Sequence, residues 1–160
     1  MGVSERKFGT LPTGEEIKIY HLENKSGAYA EVLSFGAILA KICVPDKNGE
    51  LRDVVLGYDD IEGYEVNGCF FGAIIGRSGN RIENARFFID DKEVVLAENE
   101  NHNNLHSGPN GFEKKLWEVK EISQEKNSVD FFRISPDGEN GFPGEFTVVV
   151  KYEFTEENEL

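Results

Sequence analysis

Long apolar runs are missing from this 160-residue sequence. The longest, such as residues 37–40 and 54–56, fall far short of the roughly 20 residues a membrane span needs. Residues 1–10 carry Arg6 and Lys7 but no apolar core, so no secretory signal is expected there. Basic charge is scarce. Against 30 Asp and Glu stand 17 Lys and Arg, for a formal net charge of −13. That excess repels a phosphate backbone and an anionic bilayer, so neither nucleic acid nor membrane is an expected partner. Cysteine is limited to Cys43 and Cys69, with no CxxC and too few for a disulfide scaffold. Both lie among apolar residues and are expected as buried free thiols in a reducing cytoplasm. Helix signals are few, and no βαβ rhythm, internal repeat or Walker-type phosphate loop is visible.

Hydrophobic residues make up 39% of the chain, with 12 phenylalanines, enough to build a core. The dominant period is two. Phe146, Val148, Val150, Tyr152 and Phe154 alternate with Thr147, Lys151 and Glu153, the pattern of a half-buried strand. Further strands are predicted around Ile17 and Ile19 and over 29–33, 37–44, 52–56, 87–89, 93–96, 116–122 and 129–134. Turn chemistry separates them: 45–49 (Pro-Asp-Lys-Asn-Gly), a hairpin turn at 90–92, and the Gly- and Pro-rich 136–144. One short helix is predicted over 59–65. Strands at this spacing predict an all-β, antiparallel sandwich or barrel, and the 160 residues are expected to form a single domain.

Two stretches do not alternate. Residues 76–81 are polar and flanked by glycine. Residues 99–111 form a long loop holding His102, His106 and several asparagines. Long loops inside compact domains are usually functional or disordered. Arg77, Asn80, Arg81, Asn104 and His106 together offer neutral donors and acceptors, guanidiniums and an imidazole. Such groups suit a polyol, each hydroxyl of which needs a directed partner.

These residues also carry a resemblance. Gly76-Arg77-Ser78-Gly79-Asn80-Arg81-Ile82 resembles the GR-x-x-NRI segment of the aldose 1-epimerase family. Asn103-Asn104-Leu105-His106-Ser107-Gly108 resembles its N-x-LHGG segment, with Ser107 where glycine is usual. Gly111-Phe112 followed by Trp117 resembles GF-x-x-x-x-W, and residues 135–144 resemble SPDGEEGYPG. The match runs from about Phe8 to Leu160. It implies an antiparallel β-sandwich of the galactose-mutarotase type, here incomplete. It also implies that Asn80, Arg81 and His106 bind a free hexose such as galactose or glucose, with Arg77 and Asn104 in support and His106 catalytic.

Mutarotation takes the proton from the anomeric hydroxyl and protonates the ring oxygen; the ring opens, the C1–C2 bond rotates, and the ring recloses. It needs an acid and a base but no electron or hydride carrier, so no cofactor or metal is expected. The family takes its acid from a later HxYFNL-like segment and its base from a glutamate near the C-terminus. Family members run to about twice this length. The sequence is therefore expected to be a fragment, a truncated gene product or one half of an assembly, completed by a C-terminal half or a homo-oligomer. The competing expectations are a carbohydrate-binding module without turnover and a purely structural assembly partner.

Plainer roles compete at several positions. His106 suits a loop cap, and His102 and His106 lie four apart without helical spacing or a third metal ligand. His21 reads as structural or exposed. Arg77 and Arg81 suit ordinary salt bridges in so acidic a chain. Asp137 and Glu139, which a glycosidase reading would pair, read as turn-forming or exposed. Trp117 and the phenylalanines read as core, although Phe70, Phe71 or Trp117 could stack on a sugar face.

Overall fold

The structure, a computed structural model, describes residues 2–160. Five strands follow one another as an antiparallel meander: β1 (Gly2–Thr10), β2 (Glu16–Glu23), β3 (Tyr29–Leu33), β4 (Leu39–Pro45) and β5 (Leu51–Asp53). In β2, alternation sends Ile17 and Ile19 to one face and Tyr20 and Leu22 to the other, and all four are buried. The sheet is therefore covered on both sides. The Ile19 face packs with Leu33, Phe35 and Ile38 beneath the short helix α1 (Ile61–Val66), through Ile61 and Tyr64. The Tyr20 face meets a second antiparallel sheet of β10 (Glu118–Ser123), β11 (Ser128–Ser135) and β12 (Phe146–Glu153). Tyr20 and Phe131 touch edge to face across the two sheets, 5.4 Å between centroids. Fully burying such side chains contributes about 1.5–3 kcal/mol each.

Polar clamps fix the sheets to each other. Gln124 donates to Val3 O at 2.7 Å and accepts from Val3 N at 2.9 Å, and Asn24 donates to Thr155 O at 2.9 Å. Helix α1 is held at both ends. Asp60 accepts from Gly63 N at 2.8 Å, and the Lys114 ammonium donates to the terminal carbonyls of Tyr64, Glu65 and Val66. Two small ladders complete the set: β6 (Arg81–Ile82) with β9 (Asn104–Leu105), and β7 (Arg86–Ile89) with β8 (Lys92–Val95). The predicted hairpin turn at 90–92 joins β7 to β8.

Four sequence expectations change. Strand β1 is not foreseen, because its only buried residue is Val3. It is a polar edge strand, and edge strands carry charge rather than an apolar alternation. The strand expected over 52–56 stops at Asp53, whose carboxylate accepts from Ile42 N and Val55 N (3.2 Å each) and turns the chain away. Of the two cysteines, Cys43 is buried but Cys69 is exposed. Phe146, expected inward, is 47% exposed at the start of β12.

Candidate functional site

The site is built where the 76–81 loop lies against the 104–107 segment. Gly76 starts the loop with its backbone on the Phe112 ring; a Cβ there would sit 2.3 Å from the ring. Only glycine permits that approach. Arg133, on the inward face of β11, stacks its guanidinium over the same ring, 4.6 Å from the centroid.

Arg77 does not form a salt bridge. Its Nε donates to Ser135 Oγ (2.8 Å), its Nη2 to the carbonyls of Ser135 (2.9 Å) and Pro136 (2.8 Å), and its Nη1 to Pro143 O (3.0 Å). The guanidinium thus ties the loop to the Gly- and Pro-rich turn after β11. That turn is itself locked by Glu139, which accepts from both Arg133 nitrogens (3.0 and 2.8 Å) and from Ser135 Oγ. Glu139 thus lies in the turn, as one of the two sequence readings has it, but is largely buried and not exposed. Burial would raise its pKa, but hydrogen bonds from Arg133 and Ser135 and the charges of Arg133 and Lys115 outweigh it, bringing the carboxyl down to about 2.

Farther along, Ser107 Oγ accepts from Ser78 N (2.7 Å) and donates to Ser78 O (2.9 Å). The next pair is reciprocal as well. His106 N donates to Asn80 O, and Asn80 N donates to His106 Nδ1, both at 2.9 Å. Asn80, His106 and Ser107 all adopt positive φ (59°, 53° and 72°), a conformation disfavoured for side-chain-bearing residues and over-determined here by four cross-loop hydrogen bonds. Because Nδ1 accepts a backbone N–H, the neutral imidazole carries its proton on Nε2, assigned from this network. His106 is partly exposed, and the edge of the Phe70 ring lies against it, 4.9 Å between centroids.

Arg81 pairs in bidentate fashion with Glu100: Nε to Oε2 at 3.0 Å and Nη2 to Oε1 at 2.7 Å. Its Nη1 reaches Asn80 Oδ1 at 3.3 Å. With that oxygen engaged, the NH2 of the exposed Asn80 is left without a partner among the described residues. The Arg81 hydrogen bond holds the Glu100 carboxyl below the usual carboxylate range, outweighing the opposing effect of desolvation with help from the Arg81 charge and Asn103. Asn104 is fully buried; its Nδ2 donates to Ala97 O at 2.8 Å, bracing the 97–104 loop from inside.

The structure therefore brings Asn80, Arg81 and His106 to one surface and places Arg77 and Asn104 behind it as struts. The side chains at the surface are donors: the His106 Nε2–H, the Asn80 amide NH2 and the remaining Arg81 N–H groups. Such a face binds oxygen lone pairs. Glu100, the acid tied to Arg81, is poorly suited to act as a base. His102 stands apart, exposed and 3.0 Å from Glu98. Among the described residues no three His, Cys, Asp or Glu side chains gather as metal ligands. Among the same residues no helix is long and apolar enough to cross a membrane. A cleft of about 550 Å³ between Leu11, Thr13, Glu65, Asn110 and Lys114 contains none of the donor residues.

Sequence reasoning missed Glu100 and left Phe70 undistinguished from Phe71 and Trp117. Phe71 packs on Tyr58 (5.8 Å) and Trp117 is buried, so Phe70 alone of the three adjoins His106. The signal for Phe70 is Asn67, whose side chain accepts from Phe71 N (2.9 Å) and donates to Phe71 O (3.2 Å), shaping the turn that presents it. No local pattern marks Glu100.

Comparison with known proteins adds a separate line. A family described as aldose 1-epimerase matches residues 18–160. The galactose mutarotase of Homo sapiens is 42% identical over 151 residues, 94% of this chain and 43% of that protein. The aldose 1-epimerase of Escherichia coli is 35% identical over 149 residues, 93% of this chain and 42% of that protein. A galactose 1-epimerase from Lactobacillus acidophilus superposes with a TM-score of 0.83 at 25% identity, covering 98% of this chain and 45% of that one. An aldose epimerase homologue from C. elegans superposes at 0.78 with 38% identity, covering 83% of this chain and 40% of that one. The chain spans less than half the length of the relatives named here.

Proposed function

The chain belongs to the aldose 1-epimerase family, and from that premise we propose that it carries the sugar-binding part of a mutarotase site acting on a free hexose such as galactose or glucose. Asn80, Arg81 and His106 hold the sugar near its anomeric end. The observation that carries the reading is the reciprocal Asn80–His106 pair, which commits Nδ1 to the backbone and leaves Nε2–H for the ligand.

His106 is the catalytic residue in this scheme. As the anomeric proton leaves and the ring opens, negative charge develops on a sugar oxygen. A preorganised donor aimed at that oxygen stabilises it more in the transition state than in the ground state. Arg81 adds positive charge beside it. The base that takes the anomeric proton and the acid that protonates the ring oxygen belong to chain beyond these 160 residues, the C-terminal half of a sandwich of which this is the N-terminal portion. The free edge of β12, with Val149 44% exposed, is the natural place for further strands to pair. The compartment proposed is the cytoplasm.

The test is polarimetry of fresh α-D-galactose with this chain, with the chain plus a C-terminal half from a family member, and with His106→Ala in both. Acceleration by the reassembled pair and its loss by about a hundredfold in His106→Ala supports the reading. A folded, reassembled pair that binds galactose yet never outruns buffer favours a carbohydrate-binding module instead. A pair that neither binds nor accelerates leaves a purely structural role.

A further inference from the structure

We propose that Glu100 is a positioning residue of the donor face: by gripping Arg81 it fixes both the guanidinium and, through it, the Asn80 amide in the orientation that meets the sugar. The inference rests on the sugar-site reading above and adds to it a residue outside the recognised segments.

The carboxylate takes Nε and Nη2, the two donors on one edge of the guanidinium. Two parallel bonds define a plane as well as a distance. The plane so fixed turns Nη1 toward Asn80 Oδ1 at 3.3 Å, which in turn decides which end of the Asn80 amide faces outward. An Arg81 released from Glu100 leaves Asn80 free to rotate and present an acceptor in place of two donors.

Glu100 is anchored well enough to impose this. Its turn is closed by Asn103 N to Glu100 O at 2.8 Å and Glu100 N to Asn103 O at 3.2 Å. Asn103 Oδ1 accepts from Asn84 N at 3.1 Å. Asn99 spans the base of the same loop, accepting from Leu105 N (2.7 Å) and donating to Leu105 O (2.9 Å). Leu105 is the residue directly opposite Arg81 in the β6–β9 ladder. Both ends of the ion pair therefore spring from one small, cross-braced unit. The loop's contact of Glu98 with His102 points elsewhere and does not compete for Arg81.

A surface ion pair of this exposure (52% for Arg81, 28% for Glu100) contributes little to stability. The role argued here is orientation, and it is separable from stability. Two measurements on the 160-residue chain decide it. Exchange of the Arg81 Nε–H with water, followed by NMR and assigned through its loss in Arg81→Lys, reports the tether without any sugar. Galactose titration, followed on the Asn80 and His106 amide signals, reports its consequence. The expected result is slow Nε–H exchange in wild type and exchange faster by about tenfold or more in Glu100→Ala. Galactose affinity falls about tenfold in Glu100→Ala and is partly restored in Glu100→Gln, which keeps one acceptor oxygen. The melting temperature stays nearly unchanged. Nε–H exchange that is equally fast in wild type and Glu100→Ala overturns the tether. A tether that breaks without loss of affinity overturns the positioning role. A wild-type chain with a slow Nε–H that galactose does not perturb overturns the sugar-site reading and this role with it, and the exchange result distinguishes that case from a tether that never forms.

Discussion

Replacing Glu139 by Gln should destabilise the chain at neutral pH and leave it unchanged near pH 2. Glu139 is the hub of the network behind the site: Arg133 binds it through two nitrogens, Ser135 donates to it, and Ser135 in turn accepts from Arg77. Its carboxyl titrates at about 2 in the folded protein, against an ordinary 4.5, and its side chain is only 14% exposed. A depression of that size corresponds to about 3 kcal/mol of folded-state stabilisation, and allowance for the remaining exposure leaves about 2–3 kcal/mol. The sign is fixed by the direction of the depression. The folded carboxyl holds its proton less tightly than the unfolded one, so the contribution is complete above the unfolded value of 4.5. It is lost as pH falls through the folded value near 2, with about half remaining near pH 3. Urea unfolding of wild type and Glu139→Gln at pH 7, 5, 4, 3 and 2.5 measures the difference directly. The other carboxylates titrate alike in both proteins and cancel. A gap that stays constant from pH 7 to 2.5 would refute the electrostatic account and leave only a packing defect. No gap at pH 7 would refute the network itself.

Other substitutions probe the same scaffold. Glu113 is buried and one of its oxygens has no partner; burial raises its pKa, only partly countered by hydrogen bonds from the nearby backbone and by Lys114 and Lys115. A raised folded value means stability present below the unfolded pKa and lost as pH rises through the folded one, so urea midpoints of Glu113→Gln should gain on wild type as pH rises above the ordinary carboxylate range. Arg77→Ala should cost about 1–3 kcal/mol, because it removes the one donor group shared by the Ser135 hydroxyl and three carbonyls, and Arg77→Lys should rescue little, since one ammonium cannot span that fan of acceptors. Thermal midpoints of the two variants check this. Ser107→Ala should lose more stability than Ser107→Gly: both remove the two bonds to Ser78, but glycine relieves the positive φ of 72° by about 1 kcal/mol while alanine keeps it.

The strands that the sequence makes legible are those whose alternation reports burial. β2, β3, β4, β11 and β12 each carry apolar residues at period two, because each packs on the core between the sheets or under α1. Strand β1 carries almost none, since an edge strand is held by its ladder to β2 and by a single buried Val3, and backbone ladders leave no mark on side-chain pattern. The overreach at residues 54–56 has the opposite cause. Val54 and Leu56 look like strand interior, but Asp53 captures the backbone on both sides and the apolar residues end in solvent, 62% and 70% exposed.

The donor face was legible for a local reason. The segments holding Asn80 and His106 stand out by their own polarity and by the resemblance they carry, although the bond that joins the two residues spans 26 positions and is the work of the fold. What supports them is written elsewhere. Arg77 finds its acceptors 58 to 66 residues away, and Glu100 finds Arg81 across 19 residues, distances at which only the fold decides who meets whom. One further support of the site, the Arg133–Glu139 pair, is inferable from the sequence. Alternation along β11 sends Arg133 inward with Val129 and Phe131, and a guanidinium buried 9% exposed among aromatic rings requires a counter-charge. Glu139, six residues on and within the turn, is in reach of it. The same reasoning extends to Ser135, the next inward position of that strand, which is fully buried and so must spend its hydroxyl on a partner. It does so twice, accepting from Arg77 and donating to Glu139, and so joins the Glu139 network to the guanidinium that ties the loop presenting Asn80 to the turn after β11. A buried polar residue at an inward strand position is therefore the sequence signal for a long-range brace, even where the identity of the partner must wait for the structure.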